Sequence, residues 1–179
     1  MEDHEKSLRE YLVGRTLQHI EFFDMDLEYA SPDMDRIWVV DGGVQFSFDE
    51  EEVSFGFASG SEFFDLSAQP IWELCDEHNL DSLGATDVEG INALIGATIT
   101  DVEVIWNYYQ LANEAGEPDG EKKYMPVELL LHFSNGSFLQ LAAIDYEIKS
   151  GKLTDLSYES GGELLISLNE RLKISTIEN

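Results

Sequence analysis

Two stretches of the chain place alternating apolar runs on either side of a short polar turn, which is the pattern of a β-hairpin. Residues 45–57 read QFSFDEEEVSFGF, and residues 127–142 read VELLLHFSNGSFLQLA. In the second stretch Asn135 and Gly136 lie at the turn, and both residue types tolerate the positive φ angles of a type I′ turn. We therefore expect a β-hairpin in each half of the chain.

The remaining apolar pattern predicts short helices and further strands. Leu8, Tyr11 and Leu12 have helical spacing, which predicts a helix over residues 3–12 that ends near Gly14. Two more short helices are predicted at residues 71–78 and 87–95, and residues 169–179 are expected to fray as a strand or tail. Strands are predicted at residues 15–23, 36–40, 44–48, 53–58, 62–66 and 163–167, and in a pair over 145–158 that turns at Ser150-Gly151.

The pattern of elements recurs along the chain. LVGRTL at residues 12–17 is similar to LIGATI at residues 94–99, at an offset of 82, and the turn regions at 48–53 and 133–138 are offset by 85. A small loop insertion at residues 113–121 accounts for the difference. The sequence predicts an α+β fold of internally duplicated antiparallel β-meander units with short helices, in a single domain of two halves, about 1–85 and 86–179.

The charge is large, negative and unevenly placed. The chain carries 37 acidic against 10 basic residues, a net charge of −27, of which −19 lies in residues 1–90. Between Arg36 and Lys122 there are 19 Asp and Glu and no Lys or Arg. Such a field repels phosphate backbones and anionic membranes and attracts basic surfaces, so neither nucleic acid nor membrane is an expected partner. A hydrophobic content of 43% places the chain among globular rather than disordered proteins.

Targeting segments and cofactor motifs are not evident in the sequence. No basic region followed by an apolar run opens the chain, which leads us to expect a cytoplasmic protein. One cysteine, Cys75, excludes an intramolecular disulfide, and with His78 it supplies only two of the four ligands of a zinc site. No phosphate-binding loop or nucleophile motif occurs, and we expect neither a cofactor nor an enzymatic activity.

One acidic loop resembles a calcium site in part. Asp24, Asp26 and Glu28 alternate as the first ligands of a calcium loop do, but Tyr29 stands where that loop needs a glycine and Asp35 where it needs a bidentate glutamate. We interpret residues 24–35 as a solvated acidic loop, with weak cation binding as the alternative.

In size, acidity and its repeated β unit the chain resembles the immunity proteins of bacterial polymorphic-toxin and contact-dependent inhibition systems. That resemblance implies a non-enzymatic inhibitor that binds a cognate toxin domain, often a basic nuclease, and competes with its nucleic acid. Interfaces draw most of their binding energy from a few aromatic anchors, while surrounding charges set the rate and the choice of partner. The predicted contacts are one aromatic anchor, Trp72, and the acidic residues Asp24, Asp26, Glu28, Asp49, Glu50, Glu51, Glu52, Asp76 and Glu77.

Other interpretations remain open from the sequence. An alternative for Trp72 and Trp106 is that both are core residues, since large aromatic side chains are mostly buried. An alternative explanation of the negative charge is that it keeps the protein soluble, as in a scaffold or a protein adapted to a salty cytoplasm. A third hypothesis is an enzyme that uses paired carboxylates, which predicts a pocket containing a carboxyl group with a strongly raised pKa.

Overall fold

The computed structural model describes residues 2–24, 36–48, 51–57, 64–67, 81–82, 90–110, 113, 115, 119–159 and 163–176. Only the backbone is described for residues 24, 51–57, 64–67, 81–82 and 109. The elements are α1 (Glu2–Leu12), β1 (Leu17–Asp24), β2 (Ile37–Val40), β3 (Gly43–Phe48), β4 (Glu51–Phe57), β5 (Phe64–Ser67), β6 (Asp81–Ser82), a 3₁₀ helix (Ile91–Leu94), β7 (Ile99–Tyr109), β8 (Lys123–Phe133), β9 (Phe138–Lys149), β10 (Lys152–Tyr158) and β11 (Glu163–Leu168).

The strands of the described residues form two antiparallel sheets. The N-terminal sheet has the order β5-β4-β3-β1-β6, and the C-terminal sheet has the order β2-β11-β9-β8-β7, with β10 paired to the second half of β9. Side chains from both sheets and from α1 form one large apolar core, which includes Leu12, Phe46 and Leu141, each fully buried. The predicted α+β class is therefore right, with β structure dominant.

Helix α1 matches the prediction, but the described part of the helix predicted at residues 87–95, residues 90–95, is not α-helical. Leu8 and Leu12 of α1 are buried, and the chain leaves the helix through Gly14 at a φ angle of 90°. At the second position the described residues form only a 3₁₀ helix, Ile91–Leu94, which Gly90 precedes without any side-chain cap. Three residues per turn place Ile91 and Leu94 on the same side, where both are fully buried. Packing therefore favours the tighter helix.

Strand β2 does not belong to the meander in which its sequence position placed it. It pairs with β11 of the C-terminal sheet, with Val40 opposite Leu164 and Ile37 opposite Ser167. Val40 packs in the large core, while Ile37 packs in a second apolar cluster on the outer face of that sheet. A strand that is apolar on both faces needs a sheet that is covered on both sides, and the C-terminal sheet provides this.

The hairpin at residues 127–142 is confirmed as β8 and β9, but its turn is not type I′. The Gly136 N–H donates to the Phe133 carbonyl at 3.0 Å, and the Phe133 N–H donates to the Ser137 carbonyl at 2.9 Å. Of the Asn-Gly pair only Gly136 has a positive φ angle, 85°. This is a type I turn followed by a bulge at Gly136. The Asn135 side chain donates to the Ala93 carbonyl at 2.7 Å and so is held by a neighbouring segment.

The type I′ geometry is found instead between β9 and β10. Ser150 and Gly151 have φ angles of 56° and 76°, and the flanking residues Lys149 and Lys152 are cross-strand partners. This two-residue turn joins the strand pair that the sequence predicts over residues 145–158.

The two similar Gly-x-Thr segments lie against each other. Thr16 and Thr98 form an antiparallel bridge, and their hydroxyl oxygens are 3.0 Å apart. Four backbone hydrogen bonds surround the bridge, and each has a counterpart at the same offset in sequence: Gly14 N to Ile99 O (2.8 Å) with Gly96 N to Leu17 O (2.8 Å), and Leu17 N to Ala97 O (3.0 Å) with Ile99 N to Arg15 O (2.9 Å). The order β1-β3-β4-β5 in one sheet also parallels β7-β8-β9-β10 in the other.

Residues 169–176, which we name the C-terminal strap, cross the outer face of the C-terminal sheet. Leu172 and Ile174 pack against the second apolar cluster, which includes Val39 and Ile144. Ser175 donates its N–H to the Leu156 carbonyl at 2.9 Å. The prediction that this segment frays is therefore wrong for residues 169–176, because Leu172 and Ile174 alternate and both contact the sheet.

Candidate functional site

The predicted acidic contacts that the structure describes lie on the N-terminal sheet. Asp24 is the last residue of β1, and its cross-strand partner is Asp81 of β6. Glu51 and Glu52 are the first residues of β4, opposite Phe48 and Ser47. The other predicted contacts lie outside the described residues: Asp26, Glu28, Asp49, Glu50, Trp72, Asp76 and Glu77.

The strand register separates these acidic positions into two groups. Strand β1 pairs with β3 from Leu17 opposite Phe48 to Phe23 opposite Gly43, so Asp24 and the start of β4 are at opposite ends of the sheet. Seven residues of extended chain correspond to roughly 23 Å. A partner that contacts both groups must therefore span the length of this sheet, a dimension within the reach of a standard protein interface.

The most buried charged group of the described residues is on the other sheet. Glu128 of β8 is 1% exposed, and its carboxylate is held by two hydrogen-bond donors and one ion-pair partner. The Tyr158 hydroxyl donates to Oε2, the Gln140 amide donates to Oε1 at 3.1 Å, and the Arg171 guanidinium lies 3.3 Å from Oε1. We name Glu128, Gln140, Tyr158 and Arg171 the buried polar cluster.

The buried polar cluster holds the C-terminal strap on the sheet. Gln140 donates to the Leu172 carbonyl at 3.0 Å and accepts from the Leu172 N–H at 2.8 Å. On the solvent side Arg171 also lies 4.0 Å from Glu103, whose other carboxylate oxygen is 2.9 Å from His132 Nε2. His132, within the β8–β9 hairpin, is thus hydrogen-bonded to the neighbouring strand β7.

The chemistry of the buried polar cluster is that of an anchor. Both oxygens of the Glu128 carboxylate already accept hydrogen bonds, and the strap covers the cluster. Burial and the bond to Glu128 raise the pKa of the Tyr158 hydroxyl above its ordinary value of 10.0, so this hydroxyl stays a donor at neutral pH. A general acid or base must be accessible to a substrate. The groups of the buried polar cluster are instead covered, and they stabilise the fold.

A second feature is an aromatic pair at the far end of β7 and β8. Tyr108 and Tyr124 are cross-strand partners, with ring centroids 5.8 Å apart, and Tyr124 is 54% exposed. The Lys122 ammonium lies over the Tyr108 ring, 3.8 Å from its centroid. We name Tyr108, Lys122 and Tyr124 the tyrosine patch.

A bulge in β8 places Tyr124 in the tyrosine patch. The register passes from Ile105 opposite Glu128 to Trp106 opposite Pro126, so Val127 has no partner on β7. Tyr124 and Glu128 are four residues apart and would share a face on a regular strand. The extra residue of the bulge puts them on opposite faces, so that Glu128 lies under the strap and Tyr124 lies beside Tyr108. Tyr108 lies on the side of α1, since Trp106, two residues earlier, contacts His4 of that helix edge to face at 5.7 Å.

Other candidate chemistry finds little support in the part of the chain that the structure describes. No group of three or more potential metal ligands occurs among those residues. Residues 25–35, with most of the calcium-like loop, and Cys75 and His78 lie outside them. None of the described helices has the length and apolarity needed to cross a membrane.

Sequence reasoning missed both the buried polar cluster and the tyrosine patch. Glu128 and Gln140 are the polar interruptions of the runs VELLL and FLQLA, and they lie on the two strands of one hairpin. Their diagonal placement across that hairpin was readable from the sequence. The contributions of Arg171 and Tyr158 were not, because they come from segments distant in the chain. The pairing of Tyr108 with Tyr124 depends on the bulge in β8, which the sequence does not reveal.

Comparison with known proteins identifies no relative. Neither a family model, a curated protein nor a solved structure matches the chain.

Proposed function

We propose that the chain is a non-enzymatic inhibitor that binds a basic protein, such as a toxin domain of nuclease type, through an acidic surface. The observation that carries the proposal is the interval between Arg36 and Lys122, which holds 19 acidic residues and no Lys or Arg. Its negative potential is complementary to a surface that binds phosphate, and it accelerates encounter with such a surface. The inhibitor would occupy that surface in place of nucleic acid.

The register of the N-terminal sheet supports this proposal. Asp24 and Asp81 are cross-strand partners on adjacent strands, so two acidic residues occupy neighbouring positions at one end of the sheet. Glu51 and Glu52 extend the acidic character to the β3–β4 end of the same sheet. A basic partner that spans the sheet would be attracted to both groups.

The test is co-expression with a basic C-terminal toxin domain, to be sought in a neighbouring reading frame. We expect cells to survive the toxin only when the chain is present, and the two proteins to co-purify at about 50 mM salt and to separate in high salt, where exposed charges are screened. Failure to co-purify at low salt would contradict the proposal.

Matched charge variants make the test specific. The variant D49N/E50Q/E51Q removes three negative charges from the predicted contacts, and E2Q/E10Q/E170Q removes three from exposed positions outside them. We expect the first variant to lose protection and the second to retain it. Equal loss in both would favour a general effect of net charge, as in the scaffold interpretation.

We also propose that the two meanders are copies of one ancestral unit. The paired hydrogen bonds around Thr16 and Thr98, the positive φ angles of Gly14 and Gly96, and the matching strand order support a duplication with the halves related by a pseudo-twofold axis. The exchange of β2 into the C-terminal sheet departs from this symmetry. A duplicated unit would present related surfaces at both ends of the molecule.

A further inference from the structure

The exposed ring of Tyr124 and the ring of Tyr108 form an aromatic surface at the end of an otherwise well-packed hairpin. Tyr124 is one of only four large hydrophobic side chains described as exposed, whereas Leu129 and Leu131 on the same strand are buried. The bulge at Val127 is what turns Tyr124 to this side. Bulges commonly redirect a side chain at a functional position.

The tyrosine patch already binds a cation from its own chain. The Lys122 ammonium lies 3.8 Å from the centroid of the Tyr108 ring, a distance at which the ring quadrupole attracts positive charge. The exposed acidic residues Asp119 and Glu121 precede this lysine directly in the chain. The Gln110 side chain donates to the Gly120 carbonyl at 2.8 Å and so fixes the end of the loop beside the rings.

We propose that the tyrosine patch is a docking point for an arginine side chain of the basic partner, with Lys122 as the intramolecular cation that this arginine displaces. The inference rests on the proposed function, and it adds a second contact region on the other sheet. A guanidinium is planar and weakly hydrated, so it stacks on an aromatic face better than an ammonium does. The Tyr108 ring therefore interacts more strongly with the guanidinium of an incoming arginine than with the Lys122 ammonium.

Two lysine variants isolate the patch from the overall charge. K122A and K123A each remove one positive charge from adjacent positions, but only K122A vacates the Tyr108 ring. With nona-arginine peptide as the probe at low salt, we expect K122A to bind about threefold more tightly than K123A. Equal affinities would overturn the proposal.

Variation of the ring supplies an independent readout. In the wild-type chain we expect nona-arginine to bind about three- to fivefold more tightly than nona-lysine. We expect Y108L, which removes the ring that Lys122 covers but keeps the position apolar, to lose most of this preference. Amide NMR shifts on titration with nona-arginine should be concentrated at residues 108 and 122–124. A preference that is unchanged in Y108L, or shifts that are absent from these residues, would overturn the inference.

Failure of this inference and failure of the proposed function give different results. If nona-arginine binds only elsewhere and the toxin domain still co-purifies, the tyrosine patch has no docking role and the acidic inhibitor proposal stands. If the toxin domain does not co-purify at low salt, the proposed function fails whatever the peptides show.

Discussion

At the scale of single residues, Glu128 has the most demanding environment of the described charged groups. It is 1% exposed on a strand with Leu129 and Leu131 as its near neighbours. A buried carboxylate without partners is strongly destabilising. The two hydrogen-bond donors from β9 and β10 and the ion pair with Arg171 of the C-terminal strap are therefore required for this residue to be accommodated. The cluster therefore couples the position of the strap to the sheet.

The variant E128Q tests this coupling. It preserves size but removes the charge that Tyr158 and Arg171 contact, and we expect the free energy of unfolding in urea to fall by about 2–3 kcal/mol. The matched variant E103Q changes a 44% exposed carboxylate near the same guanidinium, and its effect should stay within about 0.5 kcal/mol. Equal effects would show that the buried polar cluster is not the anchor of the strap.

The raised pKa of Tyr158 predicts that the free energy of unfolding falls at alkaline pH. Because its folded-state pKa is raised above the ordinary 10.0, its contribution is complete below pH 10 and is lost as pH rises through the folded-state pKa. Between about pH 8 and about pH 11 we expect Y158F to lose about 0.5 kcal/mol less of its free energy of unfolding than the wild type, measured by urea denaturation. Identical losses would contradict the burial of this hydroxyl against Glu128.

At the scale of elements, the contact of Thr16 with Thr98 joins the two similar Gly-x-Thr segments that precede β1 and β7. Each hydroxyl has the other within 3.0 Å, so removal of either one breaks the same hydrogen bond. We expect T16V and T98V each to lower the free energy of unfolding by about 1 kcal/mol, and the double variant to lower it by little more than either. Additive losses in this double-mutant cycle would indicate that the two side chains act independently.

The hairpins show how far local sequence determines an element. The Asn135-Gly136 pair predicted a hairpin correctly, because the flanking apolar runs fix its strands. Its turn type was wrong, because the Asn135 side chain binds the Ala93 carbonyl, a contact that depends on tertiary structure. At Ser150-Gly151 no described hydrogen bond from the serine side chain competes, and the turn adopts the positive φ angles that its length favours.

Non-local pairing limited the remaining predictions. The sequence indicated that β2 is apolar on both faces but not which sheet would cover it, since its partner β11 is more than a hundred residues away. The proposed acidic contacts were grouped by composition, and the register places Asp24 and Glu51 at opposite ends of a sheet. The distribution of charge along a chain does not by itself give its distribution in space.

At the scale of the whole molecule, a net charge of −27 opposes compaction by self-repulsion. If the acidity serves binding, the buried core must hold the fold without help from salt, and we expect a cooperative urea transition at about 20 mM KCl. Stability should then rise only modestly up to about 2 M KCl, where exposed charges are screened. A chain that is unfolded at low salt and folds only in molar KCl would favour the salt-adapted interpretation.

The proposal of a charge-driven inhibitor is tested most directly by a calorimetric titration of the chain into the candidate basic toxin domain at two salt concentrations. We predict a one-to-one complex whose Kd is at least about tenfold lower at 50 mM than at 500 mM KCl, because the acidic surface and the basic partner attract each other through screened charges. Absence of binding at 50 mM KCl, or a Kd that is the same at both concentrations, would contradict the account.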